Sequence, residues 1–264
     1  FTHSGKKRKL LFDINKYSKF KEKISYYILD KEPEDLFKIQ GNESFDEKNS
    51  KYILNALKRE NYQRNYISRG LENASPDDFI IISDVDEIPN LEKNNLNNYK
   101  NKIILFNQKF YYYKFNLKLH SFNWYGSKAC TKSNLVNPQW LRNIKSKKYP
   151  WWRIDSLFSK NKYQNIYFIN EGGWHFSNMK SPEDIEKKMS TYLHHREYDL
   201  KPLGTKKISE IMKNKKAIYN LRADMKADKF DNTQDLVVTK IDELPSYIKN
   251  NQEKYKDWIE NNFK

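Results

Sequence analysis

In FIIISDVDEIP, residues 79–89, an apolar run ends in three acidic residues. Asp84 and Asp86 stand two apart, and in extended backbone such residues point to the same side. Two carboxylates past the carboxyl end of a buried strand can converge on one hard divalent cation, at the edge where open α/β sheets bind ligands. Mg2+ or Mn2+ takes oxygen ligands and is commonly shared with substrate phosphates. At the strand's period of two, Glu87 points away from the aspartates and is read as supporting the turn into Pro89. The competing reading of the whole stretch is an exposed acidic turn.

A second cluster is NEGGWHFSN, 170–178. Gly172 and Gly173 allow a tight turn or a close backbone approach to a ligand. Trp174 offers a stacking face, His175 a metal or phosphate ligand, and Glu171 a carboxylate beside them. A third is HHREY, 194–198, where His194 and His195 cannot share a helical face. Cations at a helix C-terminus explain it without a site. Two chemistries use a D-x-D at a strand end. In a phosphohydrolase of the haloacid-dehalogenase type, the first aspartate, here Asp84, attacks phosphorus. That chemistry needs a second acidic pair, which only Asp224 and Asp228 supply, in a polar helical setting with no strand before them. A nucleotide-sugar transferase instead holds a metal against a diphosphate leaving group.

Strands and helices must place these residues. KISYYILD, 23–30, reads as a strand and 32–50 as a loop. A helix is expected over 51–69, with Ile53, Leu57, Arg64, Ile67 and Leu71 near one face and Gly70 as its stop. Residues 79–83 read as a strand buried on both faces, as in a parallel sheet. Leu91–Tyr99 suggests a short helix, and 102–115, 121–132 and 165–169 read as strands. The helix 181–198 carries an N-cap at Ser181, Pro182 in its first turn and a capping box closed by Asp184, with Ile185, Met189 and Leu193 as its stripe. Further helices are expected near 205–217 and 244–260. The pattern is α/β with a mixed sheet.

The chain of 264 residues, 38% hydrophobic, suits one globular domain. Aromatic residues make up 15%, which suits sugar or base ligands as well as an ordinary core. The net charge of +15 comes from scattered residues rather than one basic tail, so nucleic acid is not the expected partner. Cys130 is the single cysteine, which excludes an intrachain disulfide and a cysteine-rich zinc site. No apolar stretch within this chain reaches the ~18 residues of a membrane span, which leaves peripheral membrane contact or an upstream anchor open.

Taken in order, FTHSGKKRKL, ENYQRNYISRGL, PDDFIIISDVDEIP, GGWHFS, HHREYD and LPSYIKNNQEKYK resemble glycosyltransferase family 17, which includes the β-1,4-mannosyl-glycoprotein 4-β-N-acetylglucosaminyltransferases. The resemblance spans nearly the whole chain. SDVDEIP together with GWHFS at this distance is its specific part. It implies a GT-A type α/β fold, a mixed central sheet flanked by helices, as a single domain over 1–264 whose first strand lies upstream of Phe1. It implies inverting transfer of N-acetylglucosamine from UDP-GlcNAc to a glycan or glycoconjugate acceptor, with Mn2+ or Mg2+.

Under that resemblance Asp84 and Asp86, beside Ser83, hold metal and donor diphosphate, and His175 completes the metal shell. Glu171 ranks first and Asp155 second as the general base that inversion requires. Arg64 and Arg153 are donor contacts, Arg153 being equally placed to pair with Asp155. Trp124, Trp151, Trp152 and Trp174 are candidates for the acceptor platform. The compartment implied is cytoplasmic, as for bacterial or viral relatives, with a Golgi-type upstream anchor as the alternative. The competing functions are a phosphohydrolase acting through Asp84 and a non-catalytic glycan- or nucleic-acid-binding module.

Overall fold

The computed structural model describes residues 2–7, 9–150, 152–156, 158–191, 198, 201–221, 230 and 233–261, with Ser121 described by its backbone alone. Trp151, His194, His195, Asp224 and Asp228 lie outside the described residues. The chain forms two compact units.

The first unit comprises 1–74, 137–139 and 187–202. Its main element is α1, Phe45–Tyr66, followed by a 3-10 turn over Ile67–Leu71. The helix starts ahead of the expected 51 because Ser44 and Glu47 form a reciprocal capping box, each satisfying a backbone N–H that the helix start leaves unpaired. The helix buries Asn55 and Ala56 rather than the expected apolar face. Leu57 and Ile67 remain exposed. Asn55 instead clamps the preceding chain, accepting from Phe37 N (2.8 Å) and donating to Phe37 O (2.9 Å). Residues 23–30 are not a strand. They follow a 3-10 segment, Ile14–Lys23, and pair with none of the described strands.

The second unit comprises 75–136, 140–186 and 203–264. Its described strands are β1 (Phe79–Ile82), β2 (Glu87–Pro89), β3 (Ile103–Tyr112), β4 (Leu117–Trp124), β5 (Lys128–Thr131), β6 (Ile166–Ser177) and β7 (Leu236–Val238). They form one mixed sheet, so the α/β expectation holds. Strand β3 is its centre. Parallel β6 runs along one edge, with β2 antiparallel beyond it. The other edge forks: β5 and then β1 pair at the start of β3, β4 and then β7 at its end. Ile104, Leu105, Phe106, Tyr111 and Tyr112 are almost wholly buried, as a strand covered on both faces requires.

Three expectations change here. Strand β1 is not a central parallel strand. Among the described strands it pairs only with β5, antiparallel, and it alternates half-buried and buried residues. The expected strand 121–132 is two strands, because the chain breaks around Gly126 to let a buried side chain in. The GGWHFS segment is strand rather than turn. Between the pairs Phe106–Ile169 and Gln108–Gly173, Asn107 faces Asn170, Glu171 and Gly172, a bulge that β6 absorbs and then continues. A Cβ on Gly172 would lie 2.7 Å from Asn107 N, and one on Gly173 (φ 133°) 2.0 Å from Ile88 O. The glycines thus serve close approach of strands. Glu171 sits in the bulge at φ 52°, a left-handed conformation costly for a residue with a Cβ.

The other described helices are α2 (Pro138–Asn143), α3 (Pro182–Met189), α4 (Gly204–Lys213) and α5 (Ser246–Lys249). Ser181 Oγ accepts from Asp184 N at the start of α3. The expected helix 244–260 is the single turn α5 and a 3-10 segment, Glu253–Trp258. Residues 91–99 form only a 3-10 turn at Leu96–Tyr99.

Candidate functional site

The site lies in the second unit, at the turn between β1 and β2. Glu87 N donates to Asp84 O (3.0 Å), so residues 84–87 form a turn and not the extended run that would aim both aspartates alike. Each aspartate therefore has its own partner. Arg142 Nη2 donates to Asp84 Oδ2 (2.8 Å). His175 Nε2 lies 3.3 Å from Asp86 Oδ2.

Glu87 is the hub that sequence reasoning set aside. Its side chain is 0% exposed. It accepts from Trp124 Nε1 (2.8 Å), Asp84 N (3.0 Å), Ser127 Oγ (3.4 Å) and Arg142 through Nη1 (2.8 Å) and Nη2 (3.2 Å). A buried carboxylate is tolerated only when its lone pairs are filled and its charge is matched, and here both conditions are met. The strand break makes room: a Cβ at Gly126 would fall 1.7 Å from Glu87 Oε1. Gly126 O accepts from Arg142 as well. Ser83 Oγ donates to Ser127 Oγ (2.6 Å), and Gln108 Nε2 donates to the same oxygen (3.0 Å), tying β1 to β3 beneath the turn.

Lys128 holds Arg142 in place from the other side. Its ammonium donates to Arg142 O and Ile144 O, both at 2.6 Å, capping the carbonyl end of α2. Burial, then the charges of Arg142 and Lys145, push its pKa down to about 8 against the pull of Glu87.

His175 is walled by aromatics. Trp124 stacks on it (centroids 4.9 Å, planes 19° apart) and Phe110 meets it edge-on (4.3 Å, 88°). Phe176 N donates to Asp86 O (2.8 Å), which pins the aspartate's backbone to β6. His175 Nδ1 is buried and without a hydrogen-bond partner among the described residues. Asp86 remains 34% exposed at its side chain, so the pair is reachable from one side.

Among the described residues no three His, Cys, Asp or Glu side chains converge as a ready metal cage. Asp86 Oδ2 and His175 Nε2 nevertheless fit adjacent ligand positions. Two donors at ~2.1 Å from one octahedral ion lie about 3 Å apart, close to the spacing present. Mg2+ and Mn2+ regularly take one or two protein ligands and complete their shell with water and substrate phosphate.

The other expected residues are dispersed. Cross-strand partners share a face, so Glu87, His175, Phe110, Gln108 and Trp124 lie on one side of the sheet. Trp174, Phe176, Tyr111 and Lys109 lie on the other. Trp174 packs there against Tyr111, Phe176 and Leu244, with its indole N–H held by Glu243 O (2.6 Å). Glu171 meets Asn90, past the end of β2 remote from His175, and lines a cavity shared with Trp174. Trp124 has a wall role against His175 and is no open platform. Arg153 makes a bidentate pair with Asp155 (2.6 and 2.8 Å), which Lys162 joins (2.8 Å). These hydrogen bonds hold the Asp155 carboxyl well below the usual carboxylate range, the wrong direction for a base. Trp152 is exposed. Arg64 belongs to the first unit, paired with Glu60 (2.9 Å) and Gln139 (2.6 Å).

Glu87 and Arg142 are the side chains of the candidate site that sequence reasoning missed. The one available signal was Gly126, a glycine interrupting an aromatic strand, which marks a close approach. No protein-family profile, curated protein sequence or solved structure matches this chain. No helix among the described residues is long and apolar enough to cross a membrane.

Proposed function

We propose that the chain is a metal-dependent glycosyltransferase of GT-A type, moving a sugar, N-acetylglucosamine in the first instance, from a UDP-linked donor to a glycan or glycoconjugate. The observation that carries this reading is the Asp86–His175 pair: an oxygen and a nitrogen donor 3.3 Å apart, pinned by backbone and aromatic walls at a strand-end turn. Asp86 and His175 would hold Mn2+ or Mg2+, whose chemistry is to neutralise charge building on the leaving diphosphate. Arg142 fixes Asp84 and Glu87 beside that pair. Trp124 and Phe110 hold the imidazole plane and exclude water from one side of it. Glu171 is not part of this machinery, since it sits past the far end of β2.

The phosphohydrolase reading is less well supported. Its nucleophile would be Asp84, whose carboxylate is engaged by Arg142. A panel of nucleotide sugars with Mn2+, scored by UDP release, tests the proposal. UDP-GlcNAc should give turnover that EDTA abolishes. Undiminished turnover in EDTA, or a phosphoenzyme at Asp84, refutes it.

A further inference from the structure

On the face of the sheet opposite His175, a cavity of about 210 Å3 opens between the β6 bulge, the chain after β2 and the segment leading into α5. Asn90, Glu171, Trp174, Asp242 and Lys249 line it. Two observations set it apart from an accidental hollow. Asn90 is 7% exposed, yet its Oδ1 has no hydrogen-bond partner, and a buried carbonyl left unpaired costs about 1–3 kcal/mol. Glu171 is held at φ 52° on the cavity's rim, strain that a glycine would avoid.

The lining chemistry selects the ligand. Glu243, also on the wall, is neutralised by Lys109 (2.8 Å), and Glu92 accepts from Ser246 Oγ (2.7 Å). Glu92, Glu171 and Asp242 then face Lys93 and Lys249, so the lining is close to balanced with one negative charge in excess, which disfavours an anionic ligand. Carboxylates and an amide oxygen accept hydroxyl protons, ammonium groups donate to hydroxyl and ring oxygens, and a half-buried indole takes an apolar ring face. The volume falls below the ~300–1,000 Å3 of pockets for drug-sized ligands, leaving room for one ring. We propose that this cavity binds a single neutral sugar ring, at a site separate from the Asp86–His175 pair. Binding here stands or falls independently of transfer at that pair.

The test is saturation-transfer NMR on the full chain with glucose, galactose, mannose, N-acetylglucosamine and galacturonate, repeated on Glu171→Gly, Asn90→Ala and Asp86→Ala. Glu171→Gly keeps the left-handed backbone, and Asn90→Ala removes an unpaired oxygen together with one long bond from Nδ2 to Glu171 O (3.5 Å), so thermal melts of both should stay close to the parent. At least one neutral sugar should saturate, at least tenfold more weakly in the first two variants and unchanged in Asp86→Ala. Absence of saturable binding, binding that survives both cavity substitutions, loss in Asp86→Ala alone, or preference for galacturonate overturns the proposal.

Discussion

Glu87 and Arg142 carry opposite charges that are stable only together. Removing the guanidinium by Arg142→Met leaves a carboxylate with 0% side-chain exposure uncompensated, and breaking such a pair costs about 3–5 kcal/mol. Urea unfolding should show that loss. The double variant Glu87→Gln/Arg142→Met should recover much of it, a coupling that two independent sites would not show. Glu171 presents the reverse case. Its left-handed backbone costs about 1–2 kcal/mol, so Glu171→Gly should raise stability, by up to about 1 kcal/mol after the entropy of glycine is counted. A lower melting temperature for that variant would mean that the Glu171 side chain holds the bulge together.

Strand β6 positions the site through its register, and the register depends on glycine. Gly173→Ala would drive a methyl group to 2.0 Å from Ile88 O at a φ of 133° that alanine avoids. Strands β2 and β6 must separate, moving Glu87 and His175 off their pairing. Melting temperature and donor turnover should both collapse, whereas Gly41→Ala, with open space around it, should leave both intact. The same strand explains what the sequence hid. KIILFNQKFYYYKF announces β3 through a long apolar, β-rich run, whereas the expected loop 32–50 hides the start of α1 although the Ser44–Glu47 capping box lies within it. GG in NEGGWHFS carries the local signature of a turn. Only non-local pairing with β2 and β3 makes it strand, and that pairing has no local code. The alternation of β6 then parts Trp174 from His175, neighbours in sequence and on opposite faces. Arg142 stands 55 residues beyond Glu87 in the short helix α2, and no local pattern in so short a helix points to that partner.

Across the molecule, stability at alkaline pH should rise and then fall. Lys128 has its folded pKa near 8 and its unfolded value near 10.5. Between the two the unfolded chain binds the extra proton, so stability climbs, on the order of 3 kcal/mol in all. Burial keeps the hydroxyls of Tyr111, Tyr112 and Tyr113 neutral well above their usual 10. Above about pH 10 the unfolded state ionises first, and stability is lost as pH rises further. Denaturant midpoints from pH 7 to 11 check both limbs, and Lys128→Met should erase the rise while keeping the fall. The central assignment is reached most directly by titrating Mn2+ in the presence of UDP-GlcNAc and following the free-ion EPR signal. Asp86→Ala and His175→Ala should each weaken the bound ion at least tenfold while the fold persists. Equal affinity in the parent and both variants, or no bound Mn2+ in the parent, would contradict Asp86 and His175 as the cation pair.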